Sequence, residues 1–144
     1  MQVTAYCPCG RCNGYVRGSW RYLKLDQWNR YVRSSGARYT GRTASGTFPR
    51  RSNPGLFSPD SLANPSKIPE RLLPWNVLPR DGTLAADTNH YPFNTRMYVP
   101  GYGWGRVEDK GGAIKGPHKL DVFVNRHSQT RPWGRRNLTV RVMD

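Results

Sequence analysis

Apolar and polar residues alternate over Gln2–Tyr6, which includes the β-branched Val3 and Thr4, and this alternation predicts a strand. Short runs of the same kind recur at 83–87, 95–99, 104–109, 119–124 and 137–142, with one more near 43–47. Glycine or proline separates them. In residues 119–124, KLDVFV, a period of two sets Leu120, Val122 and Val124 on one face and Lys119, Asp121 and Phe123 on the other. Residues 19–33 depart from this rhythm. Trp20, Leu23, Trp28 and Tyr31 lie near helical spacing behind Ser19 as N-cap, which predicts one short amphipathic helix. Its aromatic stripe suits packing against a sheet better than a sugar platform. Residues 48–80 carry seven prolines and no sustained period, so they read as a long irregular excursion that either walls a groove or packs as a surface insertion. Six or seven short strands with turn residues between them predict a small all-β barrel.

Length and composition fit that prediction. The 144 residues suit one domain, and 36% hydrophobic residues allow a modest core with many exposed loops. Fifteen glycines and twelve prolines favour turns over helices. No apolar run approaches the length of a membrane span. The charge is uneven. Of 23 basic residues 18 are arginine, and the net charge is +14. Residues 11–51 hold ten basic residues against one acid, and residues 126–141 hold five arginines and no acid. Residues 81–121 hold five of the nine acids. The pattern is an acidic region framed by a basic surface, suited to a polyanion such as nucleic acid, teichoic acid, anionic lipid or the carboxylates of peptidoglycan.

Within the acidic region, residues 98–124 hold glycines at 101, 103, 105, 111, 112 and 116. Glycines so dense exclude a helix and let the backbone approach another group closely. Asp87, Asp109 and Asp121 punctuate this stretch. Asp121 stands out because aspartate is disfavoured in mid-strand. Placed on a barrel wall beside Phe123 it is expected to be desolvated, with a raised pKa, and a nearby Asp109 would raise it further. The bland readings are a turn cap toward Thr88 or Asn89 for Asp87, and a turn residue or ion partner of Lys110 or Lys115 for Asp109. Glu108 is expected to face away from Asp109. Near the N-terminus, Cys7, Cys9 and Cys12 form a C-x-C-x-x-C cluster with three open readings: a zinc site, one disulfide with a free thiol, or three reduced thiols. A fourth zinc ligand would come from His90, His118 or His127. The glycine runs fit neither a dinucleotide fingerprint nor a phosphate loop, and Ser45 lacks a nucleophile's frame.

The stretch AADTNHYPFNTRMYVPGYGWGRVEDKGGAIKGPHKLDVFV closely resembles the 3D domain, a bacterial cell-wall family named for three aspartates, which fall here on Asp87, Asp109 and Asp121. Through that family it resembles the catalytic barrel of membrane-bound lytic transglycosylase A and, more distantly, rare lipoprotein A and expansins. The strong match covers about residues 84–124, with a weaker echo in VTAYCPCGRCNG (3–14) and TASGT (43–47). Residues 15–42 and 48–80 then read as insertions into a single domain spanning 1–144. The resemblance implies a six-stranded double-psi β-barrel. Asn13 stands where some relatives carry a further cysteine, which counts against a metal.

The activity implied by the resemblance is lytic transglycosylation of peptidoglycan, cutting the β-1,4 bond after N-acetylmuramic acid with 1,6-anhydro ring closure. It puts Asp121 in the role of general acid and base, Asp109 as its electrostatic partner and Asp87 in support. Thr4 and Tyr6 match groove-lining positions of the family's first strand. Tyr102 and Trp104 are candidates to stack on sugar rings, or else to cover the barrel mouth, and Lys115 is a candidate substrate contact. No cofactor is expected beyond a candidate structural zinc. The alternative is a non-catalytic basic barrel that binds polysaccharide or nucleic acid within a larger assembly. Met1 is followed almost at once by the first predicted strand, so no signal peptide is visible. The expectation is a cell-envelope protein whose leader has been removed, or one delivered by another route such as a phage particle or lysis system.

Overall fold

Strand β1 (Gln2–Tyr6) buries Val3 completely and joins a seven-stranded sheet. The structure is a computed structural model and describes residues 1–17, 31–33, 38–63, 65–74 and 76–143. The remaining strands of this sheet are β5 (Gly82–Ala85), β6 (Arg96–Val99), β7 (Gly103–Asp109), β8 (Lys119–Phe123), β9 (Arg136–Asn137) and β10 (Arg141–Met143). Their order is β10-β6-β7-β5-β8-β1-β9. Two pairs are parallel, β1 with β8 and β5 with β7, and an antiparallel β5–β8 pair joins them. The curled sheet wraps a core of Val3, Leu84, Ala86, Met97, Val99, Val107, Leu120 and Val122. Burying each of the larger aliphatic side chains contributes about 1.5–3 kcal/mol.

The mostly-sheet class matches the alternation in the sequence, and residues 119–124 behave as the period of two dictates. Leu120 and Val122 are fully buried and Val124 nearly so, while Asp121 points from the other face. The details differ in five places. The main sheet has seven strands where six were expected, because the run at 137–142 is two strands and not one. Chain pairing explains the break: Leu138 exchanges hydrogen bonds with Met1 at 2.7 and 2.9 Å, after which the chain leaves β1 to pair with β6 on the far edge. Residues 43–47 form a turn, not a strand. Thr43 and Thr47 close it with a backbone bond of 2.8 Å and a side-chain bond of 2.9 Å.

The helix expected at 19–33 is contradicted at its end, since β3 (Tyr31–Arg33) pairs with β2 (Tyr15–Arg17) and β4 (Arg38–Tyr39) in a small second sheet. The rest of that expectation lies outside the described residues. Residues 48–80 are not wholly irregular. They contain α2 (Pro59–Ala63), a 3₁₀ turn (Pro65–Lys67) and α3 (Ile68–Arg71), and an Asn53–Arg80 bridge closes the excursion. Two further short helices were not foreseen, α1 (Gly10–Asn13) and α4 (His127–Trp133). In α4 the backbone N–H of Arg126 donates to Gln129 Oε1 at 3.2 Å, and Gly134 ends the helix at φ +63°. Seven residues with a single large apolar side chain give no helical period to read. Among the described residues no helix is long and apolar enough to cross a membrane.

Two glycines of the dense stretch have an evident cause. A Cβ on Gly105 would lie 2.6–2.9 Å from the side chain of buried Leu84 in the neighbouring strand. Gly103 holds φ +102°, a conformation that other residues rarely adopt.

Candidate functional site

The register of the sheet builds the site. Ala85 of β5 pairs with Asp109 of β7 on one side and with Asp121 of β8 on the other, and Asp121 pairs with Thr4 of β1. Asp109, Ala85, Asp121 and Thr4 thus form one row across four strands. Strands lie roughly 4.8 Å apart, so the two aspartate backbones sit about 10 Å apart with only a methyl group between them. The row exists because of a register shift between Leu84 and Ala85. Leu84 pairs with Val107, and regular pairing would then set Glu108 beside Ala85. The extra residue in β7 puts Asp109 there.

Asp109, Ala85 and Asp121 of this row face a groove of about 550 Å³. Tyr6, Ala85, Asp109 and Asp121 line it from the sheet, Cys12 and Asn13 from α1, and Lys110, Gly111 and Gly112 from the turn after β7. Its other wall is Tyr39, Thr40, Arg42, Thr43 and Ala44. An acidic floor is therefore flanked by Arg42 and Lys110. A second depression of similar volume, lined by residues including His90, Tyr91 and Arg96, contains none of the three aspartates.

Each carboxylate has its own surroundings. Asp121 accepts a hydrogen bond from the Thr4 hydroxyl at Oδ1. Burial raises its pKa, the Thr4 bond pulls it back, and the charge of Asp109 raises it again. Asp109 Oδ1 accepts the backbone N–H groups of Ala44 at 3.0 Å and Lys110 at 2.9 Å, and Oδ2 accepts the Tyr6 hydroxyl at 3.1 Å. Burial, reinforced by Asp109, pushes the Tyr6 hydroxyl far above its ordinary pKa, so Tyr6 stays a donor. Its ring meets Phe123 edge-on at 5.4 Å.

Thr4, Tyr6, Asp109 and Asp121 are thus brought together. The other residues singled out from the sequence are not. Asp87 lies in a loop, where Oδ1 accepts the Asn89 N–H at 3.1 Å and Oδ2 the Gly116 N–H at 2.8 Å. These two bonds hold its pKa below the ordinary value. It braces the 111–117 loop and does not line the groove. Tyr102 points inward, donating to the Phe123 carbonyl at 2.9 Å with its ring against Trp133. Burial pushes its pKa up. Trp104 stacks with the Arg96 guanidinium at 4.7 Å and touches Tyr98. Lys115 is exposed and outside the groove lining. Glu108 is turned away from Asp109, to Arg50 at 2.6 Å and the Thr83 hydroxyl at 2.7 Å.

Sequence reasoning missed the far wall. Arg42, Thr43 and Ala44 carry no chemical motif, and their only signal was the faint TASGT echo. That turn is docked on the end of β7 by the Ser45 N–H to the Glu108 carbonyl at 3.0 Å, which is what aims Ala44 at Asp109. The 48–80 excursion contributes none of the described lining residues. It packs on the Glu108 side, where Arg50 and Ser52 reach Glu108 and Tyr102. Of the histidines, His127 is the one gathered with Cys7, Cys9 and Cys12, and among the described residues these four form the group able to hold a metal.

Fold and groove define a small sheet protein with a paired-aspartate cleft. Residues 82–144 match the model of the 3D domain, so this segment carries the resemblance read from the three aspartates and extends it through α4 and β10. The chain is 41% identical over 69 residues, 48% of its length, to the cell wall-binding protein YocH of Bacillus subtilis strain 168, covering 24% of that protein. It is 33% identical over 66 residues, 46% of its length, to the putative cell wall shaping protein YabE of the same organism, covering 16% of it. The chain thus spans a quarter or less of the curated relatives it matches.

Proposed function

We propose that the groove binds peptidoglycan glycan strands at the cell wall and cleaves them as a lytic transglycosylase. The observation that carries this reading is the row of Asp109, Ala85 and Asp121 on the groove floor, with Thr4 next in the row and bonded to Asp121. A carboxyl group with a raised pKa next to a second carboxyl is what protonation of a leaving oxygen needs near neutral pH. Asp121 donates its proton to the glycosidic oxygen as the bond from the anomeric carbon breaks. The C6 hydroxyl of the muramic acid then closes on that carbon and gives its proton back to Asp121. Asp109, which accepts hydrogen bonds from three donors, faces the developing positive sugar from across Ala85. The alanine between them leaves room for the ring. Arg42 and Lys110 suit the carboxylates of the stem peptide. The parallel pairs flanking the β5–β8 pair are consistent with the double-psi barrel implied by the resemblance.

A second reading has one observation in its favour. The curated relatives are named for binding and shaping the wall, not for cutting it. On that reading the same groove holds glycan without cleavage. Mass spectrometry of soluble products from purified peptidoglycan separates the two. Anhydro-muropeptides from the wild type, falling about 10²–10⁴-fold in Asp121→Asn, are expected. Reducing-end products would mean hydrolysis by water. No product, with retained binding to the insoluble wall, would leave the binding module.

A further inference from the structure

Outside the aspartate row, three sulfurs and one ring nitrogen converge on a point. Cys7 is fully buried just past β1, Cys9 precedes α1, Cys12 lies within it, and His127 opens α4, 115 positions beyond Cys12. His127 Nδ1 lies 3.6 Å from Cys7 Sγ, 3.4 Å from Cys9 Sγ and 3.6 Å from Cys12 Sγ. Cys7 Sγ is 3.1 Å from Cys9 Sγ and 3.6 Å from Cys12 Sγ, and all four atoms lie within 4.8 Å of one another. The three cysteines are free.

Hydrogen bonds do not account for this arrangement. A single imidazole nitrogen offers either one lone pair or one N–H, so it cannot bond three thiols at once. A cation at the centre satisfies all four. With Zn–S about 2.3 Å and Zn–N about 2.0–2.1 Å, a tetrahedral site has S···N edges of about 3.6 Å and S···S edges of about 3.8 Å. The three S···N distances fit, and the Cys7–Cys9 and Cys7–Cys12 sulfur edges of 3.1 and 3.6 Å would open by about 0.7 and 0.2 Å. The outer contacts point the same way. Asn13 Nδ2 donates to the carbonyls of Cys7 at 2.6 Å and Cys9 at 3.1 Å, which fixes the loop. The backbone N–H groups of Cys12 and Asn13 donate to the Cys9 carbonyl at 3.2 and 3.1 Å, closing the turn that gathers the sulfurs. Asn13 therefore serves as a brace and is no vacancy in the ligand set.

We propose that Cys7, Cys9, Cys12 and His127 bind one structural zinc ion. Three thiolates and an imidazole are a soft donor set that suits zinc, and four protein ligands close the site to substrate. The ion ties the end of β1 to α4. β1 carries Thr4 and Tyr6, whose hydroxyls reach Asp121 and Asp109, and Cys12 lines the groove. Zinc would thus hold one wall of the groove in place without taking part in its chemistry, and the proposal does not depend on whether the groove cleaves or only binds.

The test is the metal content of the full chain by elemental analysis, followed by cobalt(II) titration of the chelated protein. Expected results are one zinc per chain, thiolate-to-cobalt charge-transfer and tetrahedral bands, and a lower Tm after chelation. His127→Ala leaves all three thiols in place and should weaken zinc by more than the roughly 10–100-fold that loss of an outer contact costs. A protein purified without metal, with a Cys–Cys disulfide found by peptide mapping, would overturn the proposal. So would His127→Ala binding zinc as tightly as the wild type, or a cobalt spectrum without thiolate bands. The wild-type measurements stand even if a variant fails to fold.

Discussion

Glu108 and Asp109 are neighbours in the chain and end in unlike surroundings. Glu108 is buried on the side covered by the 48–80 excursion, with Arg50 on one oxygen and Thr83 on the other. Asp109 opens on the groove opposite Asp121. One side is closed and its charges are matched. The other sets two carboxylates across an alanine, and among the described residues the hydrogen bond to Asp121 comes from Thr4 alone. The difference shows that an acidic residue near the glycine-rich stretch is not by itself a sign of chemistry. What separates the two roles is one extra residue in β7.

The largest effect should come from the groove side. Asp121→Asn is expected to lower product formation about 10²–10⁴-fold while keeping the fold. A folded pKa above the unfolded value means that protonation favours the native state. That contribution is present below about pH 3.9 and is lost as pH rises through the raised pKa, so at pH 7 the variant should be at least as stable as the wild type. Thermal melts at pH 7 check this, and a clearly lower Tm would make Asp121 a structural residue.

The closed side should behave in the opposite way. Glu108→Ala strands Arg50 and the Thr83 hydroxyl and should cost about 1–3 kcal/mol in urea unfolding. That is less than a fully buried pair because the Arg50 side chain is 35% exposed. Activity per folded molecule should change little, and a selective loss of activity would erase the contrast between the two sides.

Smaller and sharper is a pair of shifts in the pH profile. Thr4 lowers the Asp121 pKa and Asp109 raises it. Thr4→Val should therefore move the limb on which activity falls with rising pH to higher pH, and Asp109→Asn should move it to lower pH. Carbon NMR titration of the Asp121 carboxyl reads the same shifts without substrate. Shifts in the same direction would sink the assignment of Asp121 as the titrating acid.

Least affected should be Asp87→Asn. Its carboxylate is held below the ordinary pKa by the Gly116 and Asn89 N–H groups, so its contribution is present above the unfolded pKa and lost as pH falls through the folded one. The variant should lower Tm slightly at pH 7, and the difference from the wild type should vanish in acid. A loss of activity as large as that of Asp121→Asn would return Asp87 to the catalytic set.

Local pattern alone determined a good deal. Alternation in 2–6 and 119–124 determined the strands and set Val3, Leu120 and Val122 toward the core, because neighbouring side chains in a strand must take opposite faces, while Phe123 is buried on the other face, edge-on to Tyr6. Asp121 in mid-strand and the glycine density pointed to the cleft, and the charge distribution foretold an acidic floor with basic flanks. Glu108 turns away from Asp109 as the sequence led us to expect, but only the tertiary structure decided the register shift that sets Asp109 beside Ala85, since a shift between distant strands leaves no local mark. It also decided that the 43–47 turn supplies a wall, that Tyr102 and Trp104 belong to packing, and that His127 joins three cysteines from the far end of the chain. Those outcomes depend on which strands become neighbours, and pairing across more than a hundred residues is set by how the whole core closes.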